Sequence, residues 1–122
     1  DAHPLTRQQR GELMDIISNA YKKVIAIDTT NFLSYYNLGM LYYNKGVVLI
    51  NESSDEIDIV DIDKLQSQAL EYFKMALPYM LKAYELNPKR KEVLTALAGI
   101  YFSMHEEEKS AAIKAELDKL GK

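Results

Sequence analysis

The 122-residue sequence contains no cysteine. This excludes disulfides, thiolate nucleophiles and zinc sites built on sulfur, and it fits an oxidising or a reducing compartment equally. Glycine and proline are scarce, at five and three, too few for the many turns of an all-β fold. There is no basic excess. The net charge of −3 leaves no electrostatic footprint for nucleic acid. No apolar run approaches the ~20 residues that cross a bilayer. The opening DAHPLTRQQR lacks the apolar centre of a signal peptide. The only histidines are His3 and His105, and neither has a second ligand or a nucleophile at a recognisable spacing. No G-x-S-x-G, phosphate loop or H-E-x-x-H occurs. The expectation is a non-enzyme with no catalytic residue, metal or cofactor, no nucleic-acid partner and no membrane insertion. The first residue is not Met, so the chain is expected to be a processed or excised part of a longer one.

What is present is helical periodicity. Hydrophobic residues make up 48% and charged residues 27%, as in a globular protein of one domain. Apolar residues recur every three to four positions in five segments. The first covers 7–27, with Leu13, Ile16, Ile17, Ala20, Tyr21, Val24 and Ile27 as its apolar stripe. Thr6 and Gln9 before it form a capping box. The second begins near Phe32 and continues through Ile50. The third covers about 63–86 and ends at Asn87-Pro88, because proline disfavours the α conformation in the residue before it. Pro78 inside it should kink it. The fourth and fifth cover about 89–104 and 107–120.

The two halves overlay at a shift of 59 residues. Tyr21 to Asp28 falls on Met80 to Asn87, and Thr29 on Pro88. Tyr35, Leu38, Gly39 and Tyr42 fall on Leu94, Leu97, Ala98 and Tyr101. Here the chain resembles the tetratricopeptide repeat, a 34-residue helix–turn–helix unit seen in many bacterial proteins. Tyr35, Leu38, Gly39 and Tyr42 match its first helix. Ala76, Met80, Ala83 and Pro88 match its second, with Met80 replacing an aromatic. Leu94, Leu97, Ala98 and Tyr101 open another unit. The resemblance implies an all-α antiparallel array, an α-solenoid of about two and a half units. The first helix is then the second half of a unit whose first half is absent, and its exposed end predicts self-association or a longer parent.

A shift of 59 exceeds one unit by 25 residues, which lie between Gly46 and Ala76. Residues 47–75 are expected to form an extended helical hairpin that sticks out beyond the stack. Its tip would be an acidic loop at 51–63. Glu52, Asp55, Glu56, Asp58, Asp61 and Asp63 occur there with no Lys or Arg between Gly46 and Lys64. Without them the chain has 15 basic against 12 acidic residues, a net of +3. The acidity is therefore local, as in a solvated loop. Asp61 or Asp63 would cap the third helix. A calcium loop is not expected, because no glycine lies between Gly46 and Gly99 to make its sharp turn.

The tyrosines of SYYNLGMLYYNKG separate by face. Tyr35 and Tyr42 are seven apart and share one side with Leu38 and Gly39; Tyr36 and Tyr43 lie about 100° away. By resemblance the first set packs helix on helix. Leu33, Tyr36, Met40 and Tyr43 fall where the family turns its first helices toward a groove. Their equivalents are Glu92, Thr95, Gly99 and Phe102. The candidate partner-binding residues are Leu33, Tyr36, Met40, Tyr43, Thr95 and Phe102, with Tyr43 free enough that its loss costs little stability. Family members that clamp a C-terminal carboxylate use Lys and Asn at positions held here by Tyr36, Met40, Thr95 and Gly99, so that mode is not expected. The implied function is a protein- or peptide-binding scaffold. Alternatives are a structural homo-oligomerisation module or an accessory domain of a larger protein. Similar bacterial proteins occur in the cytoplasm and in the envelope, which leaves the compartment open.

Overall fold

The computed structural model describes residues 4–55 and 58–121. Among these residues there are five helices and no strand: α1 Arg7–Ile27, α2 Phe32–Ser54, α3 Ile59–Leu86, α4 Lys91–Ser103 and α5 Glu107–Leu120. The chain is an all-α array of the solenoid type. Thr6 and Gln9 form the expected capping box at the start of α1.

The 59-residue repeat is visible in the backbone. Asp28 closes α1 by donating its N–H to the Val24 carbonyl, and Asn87 closes α3 by donating to Ala83. Asn31 N–H donates to Asp28 at 3.2 Å, and Arg90 N–H to Asn87 at 3.4 Å. Asn31 and Arg90 then begin α2 and α4. The same three-residue link is therefore built twice, once around Thr29-Thr30 and once around Pro88-Lys89.

Between the two links stand α2 and α3, which pack on each other along a seven-residue repeat. On α2 the buried positions Tyr35, Gly39, Tyr42, Gly46, Leu49 and Ser53 are spaced alternately four and three apart. On α3, Ala69, Phe73, Ala76, Met80 and Ala83 show the same alternation. This is the seam of a coiled-coil hairpin, and at two places along it a glycine of α2 is set against a large side chain of α3. Gly39 faces Met80; a Cβ there would lie 3.3 Å from the Met80 backbone nitrogen. Gly46 faces the Phe73 ring. Leu38, Met80, Val93, Leu94, Leu97 and Ile100 fill the main core with no exposed surface. Each such burial contributes about 1.5–3 kcal/mol. Ala98 and Ser110 join α4 to α5, with the Ser110 hydroxyl donating to the Ala98 carbonyl at 2.8 Å.

A second cluster, Leu49, Ala69 and Phe73, holds the far half of the hairpin. Met104, from the turn after α4, packs against it. The hairpin is thus tied at its base to the α4–α5 corner rather than standing clear. The helix α3 continues across Pro78.

The acidic loop expected at 51–63 is mostly helix. The helix α2 runs to Ser54, and in its last turn the Ser53 and Ser54 hydroxyls donate back to the Ile50 and Asn51 carbonyls. The helix α3 begins at Ile59, and its cap is Asp58 rather than Asp61 or Asp63; the Val60 N–H donates to its carboxylate at 2.9 Å. Asp61 lies in the first turn, where the helix dipole favours a negative charge. Glu56 lies outside the described residues.

The stripe expected to bury α1 also needs correction. Met14, Tyr21 and Ile25 pack on the array, with Ser18 buried between them. Leu13, Ile16, Val24 and Ile27 are exposed, Ile16 at 66% and Ile27 at 88%. At the shift of 59, Ile17, Val24 and Ile27 correspond to Ala76, Ala83 and Leu86. Those α3 residues lie in or against the main core. The helix α1 is apolar on two sides, and periodicity alone does not say which of them meets the array.

Candidate functional site

The two rows of candidate residues lie on parallel first helices. Leu33, Tyr36, Met40 and Tyr43 are spaced along α2 as Glu92, Thr95, Gly99 and Phe102 are along α4. The helices are joined at two places. Near their starts, the Arg90 guanidinium sits over the Phe32 ring at 5.2 Å, and Phe32 stacks on Tyr36 at 6.0 Å. Farther along, the Tyr43 side chain reaches Gly99, where a Cβ would fall 2.6 Å from its hydroxyl oxygen.

That second junction changes the reading of Tyr43. Its ring is tilted against Phe73 at 5.7 Å between centroids, and it contacts both hydrophobic clusters. It is a half-buried residue that fills the space left by Gly99, not a free groove residue. Leu33 is 60% exposed and Phe102 59% exposed. Thr95 is exposed, while Tyr36 and Met40 are half-buried. The candidate surface therefore keeps Leu33, Tyr36, Met40, Thr95 and Phe102.

The repeat positions behave as packing residues. Leu38, Ala76, Met80, Ala83, Leu94 and Leu97 are fully buried, and Tyr35, Tyr42 and Ala98 are nearly so. The Tyr35 hydroxyl donates to the Thr29 carbonyl, which fixes the α1–α2 link. Tyr42 stacks on Tyr72 and Tyr79, with the Lys22 ammonium 5.7 Å from its ring centre. Interaction with the Tyr42 side chain holds the Lys22 ammonium above its ordinary pKa. Tyr101 is half-buried and Pro88 exposed.

Phe102 also borders a feature that periodicity did not disclose. A cleft of about 720 Å³ opens between the hairpin and the α4–α5 corner. Ile50, Leu70, Phe73 and Phe102 give it an apolar floor, and Asp63 and Glu107 are its carboxylates. It exists because α2 and α3 extend past the end of α4. The hairpin extension was the sequence signal for it, but which residues would face the corner was not legible.

The corner itself is sharply built. Glu106 N–H donates to the Tyr101 carbonyl at 2.8 Å, and His105 N–H to Phe102 at 3.0 Å. This pair of bonds is the Schellman closure, which needs a left-handed residue just past the helix. His105 takes that role with φ 63°. At the equivalent position in the preceding unit stands Gly46, inside α2.

Among the described residues no group of three or more His, Asp or Glu is placed to hold a metal ion. No described helix is long and apolar enough to cross a membrane. Nothing among curated proteins or solved structures matches the chain. Residues 20–53 match the family model of the tetratricopeptide repeat. The matched segment runs from the last turns of α1 through the Thr29-Thr30 link and almost all of α2, and the same link recurs 59 residues later. Over these 34 of the 122 residues the chain is similar to a tetratricopeptide repeat, which supports reading the array as one of that type.

Proposed function

We propose that this protein is a non-catalytic scaffold that binds a segment of another protein along the α2–α4 face. Residues 20–53 are similar to a tetratricopeptide repeat, and such repeats generally serve protein interaction rather than catalysis. The observation that carries the reading is the exposure of Leu33 and Phe102 toward opposite ends of the α2 and α4 rows that also hold Tyr36, Met40 and Thr95. Large apolar side chains on a rigid helical surface serve as anchors for a partner. Selection of displayed random peptides on the protein, with the Leu33→Asp/Tyr36→Ala variant as counter-target, tests it. Selected peptides should bind the parent protein at least about 10-fold more tightly than the variant, a loss of ~1.4 kcal/mol or more. Peptides that fail to discriminate between the two would refute the assignment of this face.

A second reading, self-association, is favoured by the exposed stripe on α1. The occupant would be a second copy, because the equivalent side of α3 is already covered by a helix of the same chain. Sedimentation velocity should then show a dimer that Ile16→Lys/Ile27→Lys converts to monomer. A monomer at all concentrations excludes it.

A further inference from the structure

The cleft between the hairpin and the α4–α5 corner has an apolar floor and a one-signed rim. Asp63 stands on the α3 side and Glu107 on the α5 side; no lysine or arginine lines it. Neither carboxylate is seen in an ion pair among the described residues. The nearest basic neighbour in sequence, Lys64, faces a different depression with Arg7, Glu52 and Asp61. His105 and the polar Gln66, Ser67 and Ser103 complete the wall. One cation does approach. The Lys114 ammonium lies 5.5 Å from the centre of the Phe102 ring. That ring is more than half exposed, so the lysine covers it only in part.

From this geometry we infer that the cleft binds a short basic peptide segment in which lysine or arginine alternates with bulky apolar residues. The apolar side chain packs against Phe102, Ile50 and Leu70, above the buried Phe73 at the base of the cleft. The flanking cation is held between Asp63 and Glu107. The exposed Phe102 ring with Ile50 and Leu70 supplies the attraction that is independent of charge. The carboxylates supply selectivity, since an acidic segment would place like charges together in a partly desolvated site. The Phe102 ring contributes a second cation site, because its face already attracts the Lys114 ammonium. Lys114 therefore competes with the ligand. This inference rests on the scaffold reading and gives it a ligand chemistry at a site made by the hairpin of this chain.

The test uses a fluorescein-labelled peptide of alternating lysine and leucine, with an alternating glutamate–leucine peptide as control, read by anisotropy on the full chain. The lysine peptide should bind and the glutamate peptide should not. Asp63→Asn/Glu107→Gln should weaken binding about 10-fold, and binding should fall as salt is raised. Lys114→Ala should tighten binding about 3-fold, a gain that a merely damaged fold would not produce. Equal binding of both peptides overturns the inference. So does unchanged affinity in the double variant when its circular dichroism melt matches the parent. If Leu33→Asp abolishes peptide binding while Asp63→Asn/Glu107→Gln leaves it intact, the cleft is refuted and the α2–α4 face stands. If no selected peptide discriminates at that face but the lysine peptide responds to the carboxylate variants, the reverse holds.

Discussion

A Cβ built on Gly46 falls 2.5 Å from Cε1 of Phe73, nearer than side chains approach one another. Gly46 thus holds α2 and α3 together by what it lacks. Gly46→Ala gains up to ~1 kcal/mol of helix propensity. It must also displace a ring at the centre of the second cluster. A net loss of about 1–3 kcal/mol is expected in urea unfolding. Gly11 gives the opposite case, since nothing lies within 4 Å of a Cβ there. Gly11→Ala should stabilise by ~0.5–1 kcal/mol.

Tyr43 and Gly99 make a second such pair, between α2 and α4. Tyr43→Ala removes a ring that packs against Phe73, and should cost about 2–4 kcal/mol, comparable to ~3 kcal/mol for Tyr35→Ala. Gly99→Ala should destabilise the parent protein more than it destabilises Tyr43→Phe, which lacks the obstructing hydroxyl. A coupling of ~0.5 kcal/mol or more in the double-mutant cycle is expected, and additivity would show that the two do not meet.

These pairs mark how far the residues could be read without coordinates. The inter-helix links were legible because Asp28-Thr-Thr-Asn31 and Asn87-Pro-Lys-Arg90 recur at one spacing, the first with a polar stop and the second with a proline. The packing role of Tyr35, Leu38 and Gly39 followed from their register. Tyr43 was misjudged because periodicity shows which residues share a face, not what stands opposite. The missing side chain at Gly99 was the available signal. The acidic stretch looked like a loop because its charges are dense. Locally, however, Asp58 caps one helix and Ser53 and Ser54 lie in the last turn of another, so charge density did not set the boundaries.

His105 occupies a left-handed backbone conformation that costs a residue with a Cβ ~1–2 kcal/mol relative to glycine. His105→Gly should therefore raise thermal stability by about 0.5–1 kcal/mol, after the greater flexibility of glycine in the unfolded chain is counted. The melting temperature would be the readout, and a fall would contradict the reading of the corner.

Asp28 makes the first link sensitive to acid. Its carboxylate accepts from the Thr30 hydroxyl at 2.9 Å and from the Thr30 backbone N–H at 3.1 Å. These bonds hold its pKa below the usual carboxylate value. The stabilisation is therefore present above about pH 4 and is lost as pH falls through the lowered pKa. Asn87, its counterpart in the second link, cannot titrate. The difference in melting temperature between the parent protein and Asp28→Ala should be largest at neutral pH and shrink toward pH 2.

The central claim is that the α2–α4 face receives a partner segment. It is tested most directly by adding a peptide selected on this protein to the isotopically labelled chain and following amide and methyl resonances. The account predicts shifts at Leu33, Tyr36, Met40, Thr95 and Phe102, with α1 unaffected. Shifts confined to Leu13, Ile16, Val24 and Ile27 on α1 would contradict it.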